Sequence, residues 1–234
     1  MTNANQVVLR RGLADTRATL DRWNEQPWTP LREWLAWSAL IAAGLLLAVW
    51  IVATATTPDA TRLHLPGVTR PADAGDAGHV LLRNFLVLAL HSLACFAGFM
   101  AGSAIPQGAK LRSGLERKVY EYAGPLAIAF VVAATTFSLV TQAYVLGSTA
   151  STLSNQLGLT PGELVLGISL HAFPELIALF LPLAAWTVAS RRGEWNKLLA
   201  ATLATTVIAI PVLMVASAVE VYVSPRVIVS LVGA

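Results

Sequence analysis

Hydrophobic residues are grouped along this chain into five long runs, separated by shorter polar segments. Each run holds about 20 mostly apolar residues, the length that a helix needs to cross a bilayer core of about 30 Å. A transmembrane barrel would show alternating segments of about ten residues, and this alternation is absent from the sequence. The pattern predicts an all-α, polytopic transmembrane helical bundle. Its predicted spans are roughly Trp34–Ala55, Leu82–Ile105, Ala123–Leu146, Leu164–Ala189 and Leu198–Tyr222.

The polar segments divide the chain into three predicted parts. Residues 1–32 form a cytoplasmic amphipathic segment, residues 33–225 a five-span transmembrane domain, and residues 226–234 a short C-terminal tail. Within the domain, Thr56–His79 is rich in Pro, Gly, Asp and Thr, which is typical of a flexible loop with little regular structure. Thr149–Glu163 is predicted to be a second loop on the same side.

The N-terminal segment is predicted to form an amphipathic helix. Val8, Leu9, Leu13 and Leu20 recur near helical spacing among charged residues. Two placements stay open: the helix lies on the inner membrane leaflet, or it packs on the loops of the bundle. The segment lacks the apolar core of a signal peptide, so we expect the first span to remain as an anchor.

Charge is sparse and unevenly placed. Only 12% of the residues are charged, against about 25% in a soluble domain. Twelve of the 16 Lys and Arg precede the first span or follow the second and fourth spans, so the N-terminus is predicted to be cytoplasmic and the C-terminus outside. The excess of Lys and Arg therefore indicates the orientation of the chain in the membrane, and no nucleic acid is predicted as a partner. The twelve residues are Arg10, Arg11, Arg17, Arg22, Arg32, Lys110, Arg112, Arg117, Lys118, Arg191, Arg192 and Lys197.

Four ionisable side chains fall within the predicted spans: His91, His171, Glu175 and Glu220. His171 and Glu175 are four residues apart, so a helix brings them onto one face, one turn apart. A charged residue at the centre of a span costs about 3 kcal/mol on insertion scales, which indicates that the pair has a use. Two uses stay open: a structural clamp, in which His171 or Glu175 pairs with His91 or Glu220, and a directly functional polar site.

Proline and glycine mark two further features of the spans. Pro174 and Pro182 lack the amide hydrogen that a helix uses, so the fourth span is predicted to be irregular, as in helices that line cavities. Gly98 and Gly102 form a small-xxx-small pattern in the second span. This pattern predicts close helix packing, either inside the bundle or between two copies in a homo-oligomer.

Familiar catalytic patterns are missing from the sequence. It contains no His-Glu-x-x-His motif, and His171 with Glu175 supplies at most two ligands where a catalytic zinc needs three from protein. It also contains no phosphate-binding glycine loop. We therefore predict no catalytic residue, no metal and no cofactor, and a protein that is not an enzyme.

Two blocks of the sequence resemble the stage II sporulation protein M family of bacterial integral membrane proteins. The first block runs from His171 through Glu175 to Phe180, and the second ends at Glu220, shortly before Pro225. A third match, at the start of the second span, keeps Asn84 but has Arg83 where the family has another Asn. The resemblance implies a multi-pass protein of the bacterial inner membrane without established catalytic chemistry.

The resemblance implies a scaffold or subunit of a membrane complex, with the lipid bilayer and other membrane proteins as partners. Members of the family act as a scaffold in peptidoglycan remodelling, accompany bacteriocin export or maturation, or lie beside ATPases. The scaffold is therefore our first functional hypothesis. The alternatives are a transporter or export-permease component, with a separate ATPase subunit, and an intramembrane peptide-processing enzyme that uses His171 and Glu175 as acid and base.

Overall fold

The computed structural model describes residues 4–110 and 113–233. These residues form α-helices joined by short turns and by one longer loop, residues 56–73, and the predicted all-α transmembrane bundle is confirmed. Arg112, one of the predicted topology residues, lies outside the described residues. The helices are α1 (Ala4–Glu25), α2 (Trp28–Ala55), α3 (Ala74–Phe99), α4 (Ile105–Lys110), α5 (Gly114–Leu157), α6 (Pro161–Arg192), α7 (Leu198–Tyr222) and α8 (Ser224–Val232).

The described residues contain five helical segments long and apolar enough to cross a membrane, so the chain is a multi-pass membrane protein. Most of these segments extend beyond the predicted spans, because polar residues continue a helix past the apolar run. The segments are Trp28–Ala55, Ala74–Lys110, Gly114–Leu157, Pro161–Arg192 and Trp195–Val232.

Two connections and the C-terminal tail differ from the predictions. The predicted loop Thr149–Glu163 is wrong, because α5 continues to Leu157 and α6 begins at Pro161. The loop after α2 is shorter than predicted, since α3 already begins at Ala74. The predicted C-terminal tail is mostly helical, because Pro225 occupies the first turn of α8, where its missing amide hydrogen is not needed.

Irregular helix geometry occurs in the second span, not in the fourth. Helix α6 continues as an α-helix through both Pro174 and Pro182, so the predicted irregularity does not interrupt it. Between α3 and α4, Met100–Ala104 forms a π-helical turn. Such turns often mark functional or tightly constrained sites, and here the turn contains Gly102.

The contacts divide the chain into two compact units, of which the first contains the described residues within 1–38, 88–135 and 180–208. Its hydrophobic core includes Trp34 of α2 and Leu181 of α6. Helix α1 packs on this unit, because the Gly12 Cα faces Phe99 and the Trp23 ring meets the Trp34 ring at 5.0 Å between centroids. Of the two predicted placements of the N-terminal helix, this packing corresponds to the one on the bundle.

Among the side chains of α1 that the structure describes, the buried positions are the small residues Gly12, Thr16 and Thr19. Of the predicted apolar stripe, Leu20 is half-buried and Leu13 is 60% exposed. Small side chains let α1 approach the rest of the unit closely, and Thr16 and Thr19 satisfy their hydroxyls by donating to backbone carbonyls of α1.

Gly98 and Gly102 are packing positions inside the first unit. A Cβ atom added to Gly98 would overlap the indole of Trp186, and one added to Gly102 would overlap the indole of Trp195. The two indoles meet edge to face, with 6.3 Å between ring centroids. The two glycines of the small-xxx-small pattern therefore pack against two tryptophans of the same chain. This is the first of the two predicted uses, close packing inside the bundle.

The second unit comprises residues 39–87, 136–179 and the described residues within 209–234. Its loop, residues 56–73, has little regular structure, as predicted, but is bound to α5. Gln156 Nε2 donates to the Thr61 carbonyl, and Gln156 Oε1 accepts from the Leu63 amide at 3.2 Å. Ser151 Oγ donates to the Thr56 carbonyl at 2.7 Å. These bonds hold the loop on the end of α5.

Candidate functional site: a polar cavity in the second unit

The second unit contains a partly open cavity of about 610 Å³, a volume typical of small-molecule sites. Each of the five membrane-crossing segments supplies wall residues, and the loop adds Leu65. Most of the wall is apolar, and polar side chains of several helices complete it. The apolar wall includes Leu45, Val49, Leu146, Leu153, Ile168 and Leu176.

Helix α6 brings both predicted polar residues to this cavity. Leu164, Ile168, His171, Glu175 and Leu179 line it, at steps of three or four residues along the chain. This spacing follows from the 3.6-residue period of an α-helix, which places these positions on one face. His171 and Glu175 are therefore both buried on the cavity side of α6.

The hydrogen-bond partner of His171 comes from α8. A hydrogen bond of 2.6 Å joins His171 Nδ1 and Ser224 Oγ, and which atom donates depends on the histidine tautomer. Both side chains are buried. Ser224 was not among the predicted site residues, because a serine followed by a proline is typical of an ordinary helix start.

Glu175 and Asn84 are buried with unused hydrogen-bonding capacity. Glu175 is 8% exposed and Asn84 of α3 is 3% exposed. Among the described residues, neither Glu175 Oε2 nor Asn84 Nδ2 has a partner at ordinary hydrogen-bond distance, although Asn84 is close enough to Glu175 for a hydrogen bond between the two side chains. Leaving a buried polar atom unpaired costs about 1–3 kcal/mol, so these two atoms are the candidates for polar contacts with a molecule in the cavity.

The charged neighbours of Glu175 are Glu220 and Arg83. Arg83 Nη2 and Glu220 Oε1 are 3.9 Å apart, with side chains 61% and 26% exposed. Arg83 is therefore the exposed member of this pair, whereas Glu220 is half-buried. Arg83 is thus the counter-ion of Glu220. In the sequence it was noted only because it stands where the sporulation family has an Asn.

The other predicted site residues lie in the first unit or away from the cavity wall. The buried His91 packs on Phe180, with 5.4 Å between ring centroids. Pro182 accepts a hydrogen bond from Cys95 Sγ through its carbonyl, at 2.8 Å. Pro174 is exposed. The clamp predicted from His171 therefore exists, but its second member is Ser224.

Metal ligation finds no support in this cavity. Within the described ranges, no three His, Cys, Asp or Glu side chains are grouped to hold a metal ion. The ionisable residues lining the cavity are Arg83, His171, Glu175 and Glu220. With two carboxylates facing one guanidinium, the wall carries an excess of carboxylate when His171 is neutral.

Comparison with known proteins adds no relative. No protein-family model, no curated protein and no solved structure matches the chain.

Proposed function

We propose that this chain is a membrane-embedded binding component of a transport assembly, which takes an amphipathic molecule into the cavity of its second unit. The observation that carries this proposal is the cavity itself: about 610 Å³, mostly apolar, with the unpaired polar atoms of Glu175 and Asn84 in its wall. Intramembrane ionisable groups that face a cavity commonly belong to substrate or ion pathways. In the orientation predicted from the basic residues, this cavity lies in the outer half of a bacterial inner membrane.

A scaffold is the weaker alternative for this site. A scaffold needs a surface that other proteins can reach, whereas Glu175 and Asn84 are buried and face a cavity. Unpaired buried groups lower stability unless a partner satisfies them, and a ligand in the cavity supplies such a partner. The resemblance to the sporulation family remains compatible with a subunit of a larger complex.

An enzyme also receives less support. The 2.6 Å contact between Ser224 and His171 satisfies the first requirement of a nucleophile and its base. An oxyanion hole would need free backbone donors near Ser224, and Pro225 has none. The amides of Arg226 and Val227 both donate to the Val223 carbonyl. The start of α8 is thus poorly equipped for acyl transfer.

Filling the cavity tests the proposal. Ala172 lines the cavity and Leu170 faces away from the protein on the same helix, which makes Ala172→Trp and Leu170→Trp a matched pair. Each variant is placed in nanodiscs of phosphatidylethanolamine and phosphatidylglycerol, and native mass spectrometry then counts the lipids retained by each chain. We expect Ala172→Trp to lose a tightly held lipid that the wild type and Leu170→Trp keep. Equal retention by all three proteins would refute the proposal.

A further inference from the structure

We propose that the molecule bound in this cavity carries a primary ammonium group, which Glu175 binds, on an apolar body that the cavity wall holds. The inference rests on the proposed function, because it names the class of ligand for the same cavity.

The balance of charge favours a cation. Arg83 lies 3.9 Å from Glu220 and is also a charged neighbour of Glu175, so a single guanidinium faces the two carboxylates of the wall. The remaining ionisable residue of the wall, His171, is bound to Ser224. A buried carboxylate is stable only when it is neutralised or paired, and a cationic ligand supplies the missing partner.

The unpaired atoms specify the kind of cation. Glu175 Oε2 is an acceptor, so it requires a group that carries N–H or O–H. A primary ammonium offers three N–H donors, whereas a trimethylammonium of the same charge offers none. Asn84 Nδ2 is an unpaired donor, which fits an oxygen carried beside the ammonium, such as a phosphate oxygen.

The wall of the cavity favours an apolar body over a bare metal ion. Within the described residues, no three His, Cys, Asp or Glu side chains are grouped to hold a metal ion, and most of the wall is apolar. Leu45, Val49 and Ile168 instead offer an apolar surface to an acyl or alkyl chain. Two sources share this chemistry: an aminophospholipid and a free long-chain amine.

Lipid selectivity tests the ammonium group. The wild-type chain is placed in nanodiscs of equal parts phosphatidylethanolamine, phosphatidylcholine and phosphatidylglycerol, and the retained lipid is identified by native mass spectrometry. We expect about tenfold enrichment of phosphatidylethanolamine over phosphatidylcholine, the size that a charge-assisted hydrogen bond provides. Glu175→Gln keeps the shape and should abolish the enrichment. Glu121→Gln, an exposed carboxylate of α5 that pairs with Arg117, should preserve it.

A second measurement separates the two sources and does not depend on lipid. Thermal unfolding is recorded in neutral detergent with decylamine or decyltrimethylammonium, and we expect only decylamine to stabilise the wild type. If an aminophospholipid is the ligand, Asn84→Leu should weaken the retention of phosphatidylethanolamine without changing the stabilisation by decylamine. If a free amine is the ligand, Asn84→Leu should change neither measurement.

The failure of this inference is distinguishable from failure of the proposed function. Equal retention of phosphatidylethanolamine and phosphatidylcholine, together with equal effects of the two decyl compounds, would overturn the inference that the ligand carries a primary ammonium group. In that case the loss of retained lipid in Ala172→Trp would still support an amphiphile-binding cavity. Folding of Glu175→Gln is checked by its unfolding temperature before either result is used.

Discussion

Nδ1 of His171 and Oγ of Ser224 lie 2.6 Å apart, and this buried contact joins the middle of α6 to the first residue of α8. Both side chains line the cavity, so the same hydrogen bond that fixes the C-terminal helix also forms part of the candidate site. Its removal therefore affects both the fold and the candidate site.

Ser224→Ala should destabilise the protein by about 1–3 kcal/mol, because it leaves a buried histidine nitrogen without its partner. Ser230→Ala is the control on the same helix, since Ser230 is exposed and donates only to the Val227 carbonyl. The control should change stability by less than about 0.5 kcal/mol. Thermal unfolding in detergent measures both, and equal stability of the two variants would contradict the structural importance of this bond.

Gly102→Ala should destabilise the first unit by about 1–3 kcal/mol, the usual effect of overpacking, because the added methyl group overlaps Trp195. Gly44→Ala is the control, since a Cβ at this helical position meets nothing within 4 Å. The control should be neutral or slightly stabilising. Trp195→Leu in the Gly102→Ala background should restore part of the loss. A loss of self-association with unchanged stability would instead assign the glycines to contacts between copies.

Gln156→Ala should release the loop of residues 56–73 from α5, because it removes the bonds to Thr61 and Leu63. In detergent, trypsin should then cleave after Arg62 about fivefold faster, which corresponds to roughly 1 kcal/mol of lost hydrogen bonding. Asn155→Ala, the preceding exposed position, is the control and should cleave at the wild-type rate. Unchanged cleavage of both variants would show that Gln156 does not hold the loop.

Asp59 should titrate below the ordinary range of an aspartate. The backbone amide and the hydroxyl of Thr61 both donate to the Asp59 carboxylate at 2.8 Å. Both hydrogen bonds lower the pKa of Asp59, and the one from the amide has the larger effect. A lowered pKa in the folded state means that this turn is stabilised above the ordinary pKa and loses the stabilisation as the pH falls through the folded value. Carboxyl NMR of labelled aspartates measures the pKa, and Thr61→Ala should shift it upward. An identical titration in this variant would exclude the hydroxyl as a cause.

Much of the site was accessible from helix periodicity alone. A spacing of four residues places His171 and Glu175 on one helical face whatever surrounds them, and the structure shows them lining one cavity. Their partners were not accessible in the same way. Ser224 and Asn84 belong to other helices, and which face of one helix meets which face of another depends on packing that no local pattern records. Of the predicted partners, Glu220 lines the cavity as a charged neighbour of Glu175, whereas His91 packs on Phe180 and the hydrogen-bond partner of His171 is Ser224.

The sequence by itself determined that the chain crosses a membrane, because about 20 consecutive apolar residues are stable only in a bilayer or a large core. It also determined the number of spans, since each run is separated from the next by polar residues. The tertiary structure decided the rest. The π-helical turn at Met100–Ala104 contains Gly102, beneath the Trp195 indole, and α8 is tied to α6 by the bond between Ser224 and His171. The cavity exists because side chains of several helices leave space between them, and such a space is a property of their arrangement rather than of any one helix.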